Sequence, residues 1–287
     1  MSDAKNTAIL LITCPDRKGL VATIADFLYR HGANILHADQ HQDNEQKLFF
    51  MRVEWDLSDF DLDADSCARE FEPIATGFEM DWRLEWGPSR PVVAVFVSRY
   101  VHCLIDLLHR YQIGELPCSI PLIISNHTDA KALADFYKIR FEHIPLTSAN
   151  KPDAEAKEIA LLGEIGVNLI VLARYMQVLS PSFVAKYPRR IINVHHSFLP
   201  AFGGAKPYHA AFERGVKLIG ATSHYVTNIL DEGPIIEQDV MRVSHRDHVQ
   251  DLVQKGRDVE RLALSRAVQW HCGHRILCYG HKTVVFD

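Results

Sequence analysis

Val92-Val93-Ala94-Val95-Phe96-Val97 is a continuous apolar run, too short for a helix and with no polar face to turn towards water. Such a run fits a strand covered on both faces, which is how strands of a parallel sheet read. Ile120-Pro121-Leu122-Ile123-Ile124 and Leu169-Ile170-Val171-Leu172 repeat the character, with helical stretches at Ala130–Tyr137 and Pro152–Ile165 between them. Strands alternating with helices imply an α/β domain with a doubly wound, mostly parallel sheet, whose ligand crevice opens at the carboxyl ends of the strands. Ser98-Arg99-Tyr100-Val101-His102 follows the first strand in place of a G-x-G-x-x-G, which disfavours a dinucleotide site.

A different unit precedes this sheet. Ala8–Cys14 is short and apolar, Pro15–Gly19 turns the chain, and Leu20, Ile24, Phe27 and Leu28 recur at helical spacing before Gly32. Asn34–His41 and Leu48–Trp55 read as strands joined by a turn at Asp43-Asn44-Glu45, followed by a helix over about Asp63–Thr76 and a strand over Glu79–Trp86. The order βαββαβ is that of a ferredoxin-like sandwich. Gly87-Pro88-Ser89-Arg90-Pro91 reads as a linker, so the expected division is 1–87 and 88–287, with a helix at about Asp247–Trp270 and short terminal strands closing the second domain. A length of 287 residues suits two domains.

Lys and Arg number 31 against 36 Asp and Glu, a formal charge of −5, which argues against a general nucleic-acid binder. No apolar run approaches the roughly 20 residues that span a bilayer, and Met1–Asn6 is too polar for a signal peptide. The six cysteines contain no C-x-x-C pair and read as reduced thiols of a cytoplasmic protein. The 16 histidines raise the question of a metal. His102, His127, His143, His195, His196, His209 and His224 form no H-x-x-x-H pair or H-E-x-x-H helix, and adjacent His195 and His196 are expected on opposite strand faces, so no metal is expected. His271, Cys272, His274 and Cys278, clustered near the end, read as structural.

The densest polar signal is Ile191-Ile192-Asn193-Val194-His195-His196-Ser197-Phe198-Leu199-Pro200, where an apolar strand delivers Asn193 and His195 to one face at its end. After a second apolar strand, Asp231 sits in a turn closed by Gly233 and Pro234. An amide donates to a developing oxyanion without changing charge, imidazole donates to that oxyanion or moves protons near neutrality, and a carboxylate accepts a proton or orients the imidazole. No Ser-His-acid order or nucleophile elbow is present, so direct attack on an acyl carbon by water or an amine is the expected chemistry. The alternative makes His195 a hydrogen-bonded strand-end histidine and Asp231 a turn former.

These residues, with Gly220 and Gln238, closely resemble the folate-dependent formyltransferase family over roughly Pro91–Val243. Members transfer or hydrolyse the formyl group of 10-formyltetrahydrofolate with an Asn, a His and an Asp, which implies those roles for Asn193, His195 and Asp231. The resemblance also implies a pterin beside Arg174, Tyr175, Met176, Gln177, Val178 and Leu179 and beside Val226–Leu230, notably Val226, Thr227 and Leu230, with His196, Gly203 and His224 near the substrate. Core packing is the alternative for Met176, Val178 and Leu179. The first unit, with Cys14-Pro15-Asp16-Arg17-Lys18-Gly19-Leu20, looks like an ACT domain. That likeness implies an amino-acid effector at the turn of Asp16 and Gly19, and a homo-oligomer (dimer or tetramer), since such modules tend to bind between paired copies. The alternative is that the turn only starts a helix.

An ACT domain ahead of a formyltransferase-type domain is the arrangement of the formyltetrahydrofolate deformylases, which His195-His196-Ser197 and Pro200–Tyr208 also resemble. Purine-pathway formyltransferases cradle a substrate phosphate in a Gly/Ser-rich loop after the first strand. Ser98–His102 lacks those glycines, which favours water as acceptor. Deformylases often carry a Lys-Glu-Asp-like stretch there, so Arg99-Tyr100-Val101 departs locally and its role stays open. The expected activity is hydrolysis of 10-formyltetrahydrofolate to formate and tetrahydrofolate, with no cofactor and with neither nucleic acid nor membrane as partner. It would serve one-carbon balance and formate supply for purine synthesis. Formyl transfer to an amine is the alternative.

Overall fold

The structure, a computed structural model, describes residues 6–88, 90–199 and 207–287. It divides into two units. The first begins with β1 (Thr7–Pro15), α1 (Leu20–Arg30), β2 (Asn34–Asp43), β3 (Leu48–Asp56), α2 (Ala64–Gly77) and β4 (Asp81–Trp86), the βαββαβ order read from the sequence. Its sheet runs β2-β3-β1-β4 with antiparallel neighbours throughout. Gly19 enters α1 at a left-handed φ of 93°, and the Asp63 side chain caps α2 by accepting from Ser66 N at 2.7 Å. Alternation along β1 sends Leu10, Ile12 and Cys14 into one core with Leu20, Ile24, Phe27 and Leu28 of α1 and Phe71 of α2.

The second unit comprises β5 (Val92–Val97), α3 (His102–Gln112), β6 (Ser119–Ser125), α4 (Lys131–Tyr137), β7 (Arg140–His143), α5 (Lys151–Ile165), β8 (Leu169–Leu172), α6 (Pro181–Val184), β9 (Ile191–His195), α7 (Pro207–Arg214), β10 (Leu218–Tyr225), β11 (Ile235–Arg242) and α8 (Val249–Cys272). Its sheet is ordered β11-β10-β9-β8-β5-β6-β7. The five strands β9 to β7 are parallel, and β10 and β11 are antiparallel additions. From β5 the chain winds first to β6 and β7, then to β8 and β9 on the other side, so the order reverses between β5 and β8. A ligand crevice belongs beyond the carboxyl ends of the strands at such a reversal. Phe96, Ile124, Ile170 and Ile191 of four parallel strands pack with Leu161, Leu162 and Phe183 into the main core of this unit.

The expected boundary at 88–287 needs one correction. Gly273–Tyr279 and Thr283–Asp287 belong to the first unit, and the second comprises Arg90–Cys272 with the turn Gly280–Lys282. The physical reason lies in the other face of the antiparallel sheet. Leu11 and Phe50 there are buried under Phe286, Leu277, Tyr279 and Val284, carried by a terminal hairpin of β12 (Ile276–Tyr279) and β13 (Lys282–Val285). Arg52, 2% exposed, fixes the hairpin's approach by donating Nε to His274 O at 3.0 Å while pairing with Glu54 at 2.9 Å. All six cysteines are free, and among the described residues no helix is long and apolar enough to cross a membrane.

Candidate active site

Strand β9 ends at His195, and β10 runs antiparallel beside it with His224 directly opposite Asn193. Cross-strand partners of this kind bring side chains together, and Asn193 Nδ2 lies 3.3 Å from His224 Nε2. His224 Nδ1 is 3.0 Å from the Tyr225 carbonyl, which can only accept, so Nδ1 carries the proton and Nε2 is free to accept from the amide. The loop after β10 then folds back. Gly233 makes that possible, because a Cβ there would overlap the Tyr225 carbonyl oxygen, and Tyr225 N donates to Pro234 O at 2.9 Å.

The turn-back delivers Asp231 to both imidazoles. Its Oδ2 is 3.1 Å from His195 Nδ1 and its Oδ1 3.6 Å from His224 Nε2. Asp231 holds a left-handed φ of 57°, a conformation that few residues other than glycine adopt without cost. The hydrogen bond from His195, with the His224 ring close by, outweighs the effect of burial and holds the Asp231 carboxyl well below the usual carboxylate range. With Nδ1 turned to Asp231, His195 Nε2 is buried and has no partner among the described residues.

These groups line one wall of a cavity of about 320 Å³. Arg174, Tyr175, Met176, Gln177, Val178 and Leu179 form a second wall, and His196, His224, Val226, Thr227 and Leu230 also line it, so the anticipated residues meet in one place. Gly203 lies outside the described residues. Asn228 and Ile229, inside the marked stretch Val226–Leu230, line the cavity too; Leu172 and Val194 were missed, although each sits inside or beside a segment the sequence marked. Met176, Val178 and Leu230 are 50%, 59% and 67% exposed, so they are not core residues; Leu179 is buried in the core. An apolar rim of that kind around a polar floor suits a flat heterocycle.

The expectation that His195 and His196 face opposite ways is overturned. Strand β9 stops at His195, alternation no longer applies to the next residue, and both rings line the cavity, stacked with centroids 5.1 Å apart. Burial, Arg174 and His195 together push the His196 imidazole down to about 4, so it is neutral at ordinary pH. Behind it, Thr222 and Gln238 hold the chain that follows. Thr222 Oγ1 donates to Ser197 O at 3.0 Å and accepts from Leu199 N at 3.1 Å, and Gln238 Nε2 donates to Leu199 O at 3.1 Å.

Sequence reading gave no sign of Glu260, which organises the side of the cavity at Arg174. Its carboxylate, 1% exposed, accepts from Tyr208 Oη and His102 Nε2, both at 2.7 Å, and lies 3.4 Å from Arg174 Nε. Burial raises its pKa, but His102, Arg174 and Tyr208 outweigh that and keep it below the usual value. The Arg174 guanidinium lies 5.7 Å from the centroid of Tyr100, which gives the loop after β5 a structural contact. His102, Cys103 and Glu260 bring possible metal-ligating atoms within 4.8 Å of one another. The set is unsuited to a metal: a guanidinium and a hydroxyl already occupy Glu260, and burial keeps the Cys103 thiol protonated.

In the first unit, Asp16 and Gly19 line a separate cleft of about 530 Å³ with Gln40, His41, Gln42 and Phe49. Asp16 accepts a hydrogen bond from Gln42 Nε2 across it.

Comparison with known proteins bears on both units. The ACT domain family matches residues 8–65 and the Formyl transferase family residues 92–268. A formyltetrahydrofolate deformylase from Synechocystis sp. is 53% identical over 280 residues, covering 98% of both chains. The crystal structure of a formyltetrahydrofolate deformylase from Pseudomonas syringae superposes with a TM-score of 0.96 at 47% identity, covering 100% of this chain and 96% of that one. Glycinamide ribonucleotide transformylase 1 from Symbiobacterium toebii reaches a TM-score of 0.64 at 30% identity, covering 95% of its own chain but 69% of this one. A chain that matches deformylases from end to end, and a transformylase over only part of its length, belongs to the formyltetrahydrofolate deformylase family and is a hydrolase.

Proposed function

We propose that this enzyme hydrolyses 10-formyltetrahydrofolate to formate and tetrahydrofolate, with the pterin against the apolar rim of Met176, Val178 and Leu230 and the formamide over His195. The observation that carries the reading is the 3.1 Å contact of Asp231 with His195 Nδ1, which leaves Nε2 buried and unpartnered in the cavity. A neutral imidazole donating Nδ1–H to a carboxylate presents a lone pair at Nε2. That lone pair takes a proton from water as the water oxygen bonds to the formyl carbon. Asn193 offers an amide N–H to the resulting oxyanion, and the imidazolium, its charge balanced by Asp231, adds a second donor. Collapse breaks the C–N10 bond, N10 takes the proton back from Nε2, and formic acid leaves and ionises.

Of the two roles expected for Asp231, the depressed pKa favours orienting His195 over accepting the proton, because a carboxylate held that firmly ionised is a weak base. The reaction as written needs no cofactor. In this reading the enzyme works in the cytoplasm as a homo-oligomer, and the Asp16–Gly19 cleft takes an amino-acid effector such as glycine or methionine. Its purpose is one-carbon balance and formate supply for purine synthesis.

The deciding experiment incubates the purified protein with 10-formyltetrahydrofolate alone. Formate and tetrahydrofolate should form with no added amine. Turnover that waits on an amine acceptor would overturn the reading in favour of formyl transfer. For the cleft, activity or melting temperature should shift with an amino acid, and no response at saturating glycine or methionine would remove those two effectors.

A further inference from the structure

The folate wall formed by residues 174–179 has a back as well as a front, and α5 packs on the back with charged groups. Lys151, Glu155 and Glu158 follow at intervals of four and three residues, one stripe of the helix. Lys151 Nζ donates to Val178 O at 2.6 Å. Glu155 Oε1 accepts from Ser180 N at 2.9 Å, and Glu158 Oε1 accepts from Tyr175 Oη at 3.2 Å. From the side of β5, Ser98 Oγ accepts from Met176 N at 3.1 Å and donates to Asn126 Oδ1 at 2.7 Å. The segment is therefore gripped at residues 175, 176, 178 and 180, while Met176 and Val178 remain exposed at the cavity.

Stability alone does not account for the stripe. Glu155 and Glu158 are 6% and 0% exposed, and Leu161 and Leu162 continue the same helix into the core. Buried carboxyl groups cost stability unless fully satisfied, and Glu158 Oε2 has no partner among the described residues.

We propose that Glu158, Glu155 and Lys151 are positioning residues for folate binding, holding the 175–180 segment, by the Tyr175 side chain and by backbone, in the shape the pterin meets. They set KM and leave turnover to Asn193, His195 and Asp231. The inference rests on the hydrolysis reading above. Burial pushes the Glu158 carboxyl up to about 7, so a neutral amide of the same shape is a close substitute for it.

The test measures kcat and KM for 10-formyltetrahydrofolate with full-length Glu158→Ala, Lys151→Met and Glu158→Gln. Losing one such hydrogen bond is worth about a three- to tenfold change. Glu158→Ala and Lys151→Met should raise KM by that factor with kcat within about twofold, and Glu158→Gln should restore KM. Amide hydrogen exchange over residues 175–180, recorded without substrate, should accelerate in the first two variants. Unchanged KM in both, or a fall in kcat at constant KM, overturns the proposal. Lys151→Met decides alone if Glu158→Ala does not fold, because the Lys151 side chain is 33% exposed and its loss leaves no cavity. A wild-type protein that fails to hydrolyse the substrate would sink the reading of the reaction instead, and the exchange data would still decide whether α5 holds the loop.

Discussion

Asp231→Asn separates orientation from shape. The two side chains are nearly isosteric, and asparagine tolerates the left-handed φ of 57° better than other non-glycine residues, so the loop can keep its course. The hydrogen-bond logic changes. The carboxylate only accepts, which obliges His195 Nδ1, 3.1 Å away, to carry the proton. An amide can donate to Nδ1 instead, moving the ring proton to Nε2 and removing the lone pair that takes the water proton in the proposed mechanism. It also removes the charge that balances the imidazolium. The same exchange in a Ser-His-Asp triad costs about 10⁴ in turnover. The Asp231 side chain is 23% exposed, so water can soften the effect, and a loss of about 10³–10⁴, roughly 4–5.5 kcal/mol of barrier, is expected.

Formate release at pH 7 measures the loss, with circular dichroism and thermal melting to check that the variant is folded. The stability effect has its own pH signature. A carboxyl whose folded pKa lies below its unfolded value stabilises the fold at every pH above the unfolded value, roughly 4, and loses that contribution as pH falls through the folded value. The melting difference between wild type and Asp231→Asn should thus be flat from pH 5 to 8. A folded Asp231→Asn enzyme working within tenfold of the wild-type rate would refute the orienting role.

Three further outcomes follow from the same geometry. Asn193→Ala removes the proposed oxyanion donor and should lower kcat by about 10²–10³, read from single-turnover formate release. His196 is neutral when folded down to about pH 4, whereas the unfolded chain protonates it from about 6.5. The fold should accordingly lose on the order of 3 kcal/mol from this group as pH falls across that window, and His196→Gln should flatten the slope in denaturant titrations. Gly233→Ala places a methyl group against the Tyr225 carbonyl, so the variant should melt lower and lose activity together, since the turn that carries Asp231 must move.

What the sequence made readable was the part written in local pattern. The apolar run Val92–Val97 announced a strand buried on both faces, and it lies inside the parallel sheet. Leu20, Ile24, Phe27 and Leu28 announced the buried face of α1. Asn193 and His195 were legible as strand-end neighbours, and Asp231 as a turn residue; that the turn folds back onto both imidazoles was not, because it depends on the close approach at Gly233. His196 was misjudged because alternation was carried one residue past the strand. Glu260 was illegible for a different reason. It lies in a long amphipathic helix, and only packing against His102, Tyr208 and Arg174, from three other parts of the chain, distinguishes it from a surface glutamate.

The hairpin at the end of the chain has a consequence for anyone who would divide this protein. Since Gly273–Tyr279 and Thr283–Asp287 complete the first unit, the second unit, apart from the turn Gly280–Lys282, is an insertion entered at Arg90 and left at Cys272. A fragment stopping at residue 88 would bare Leu11 and Phe50, both fully buried in the intact chain, and invite aggregation. A self-sufficient ACT module has to be spliced from 6–88 and 273–287. The insertion thus closes at Cys272, the last residue of the helix that carries Glu260.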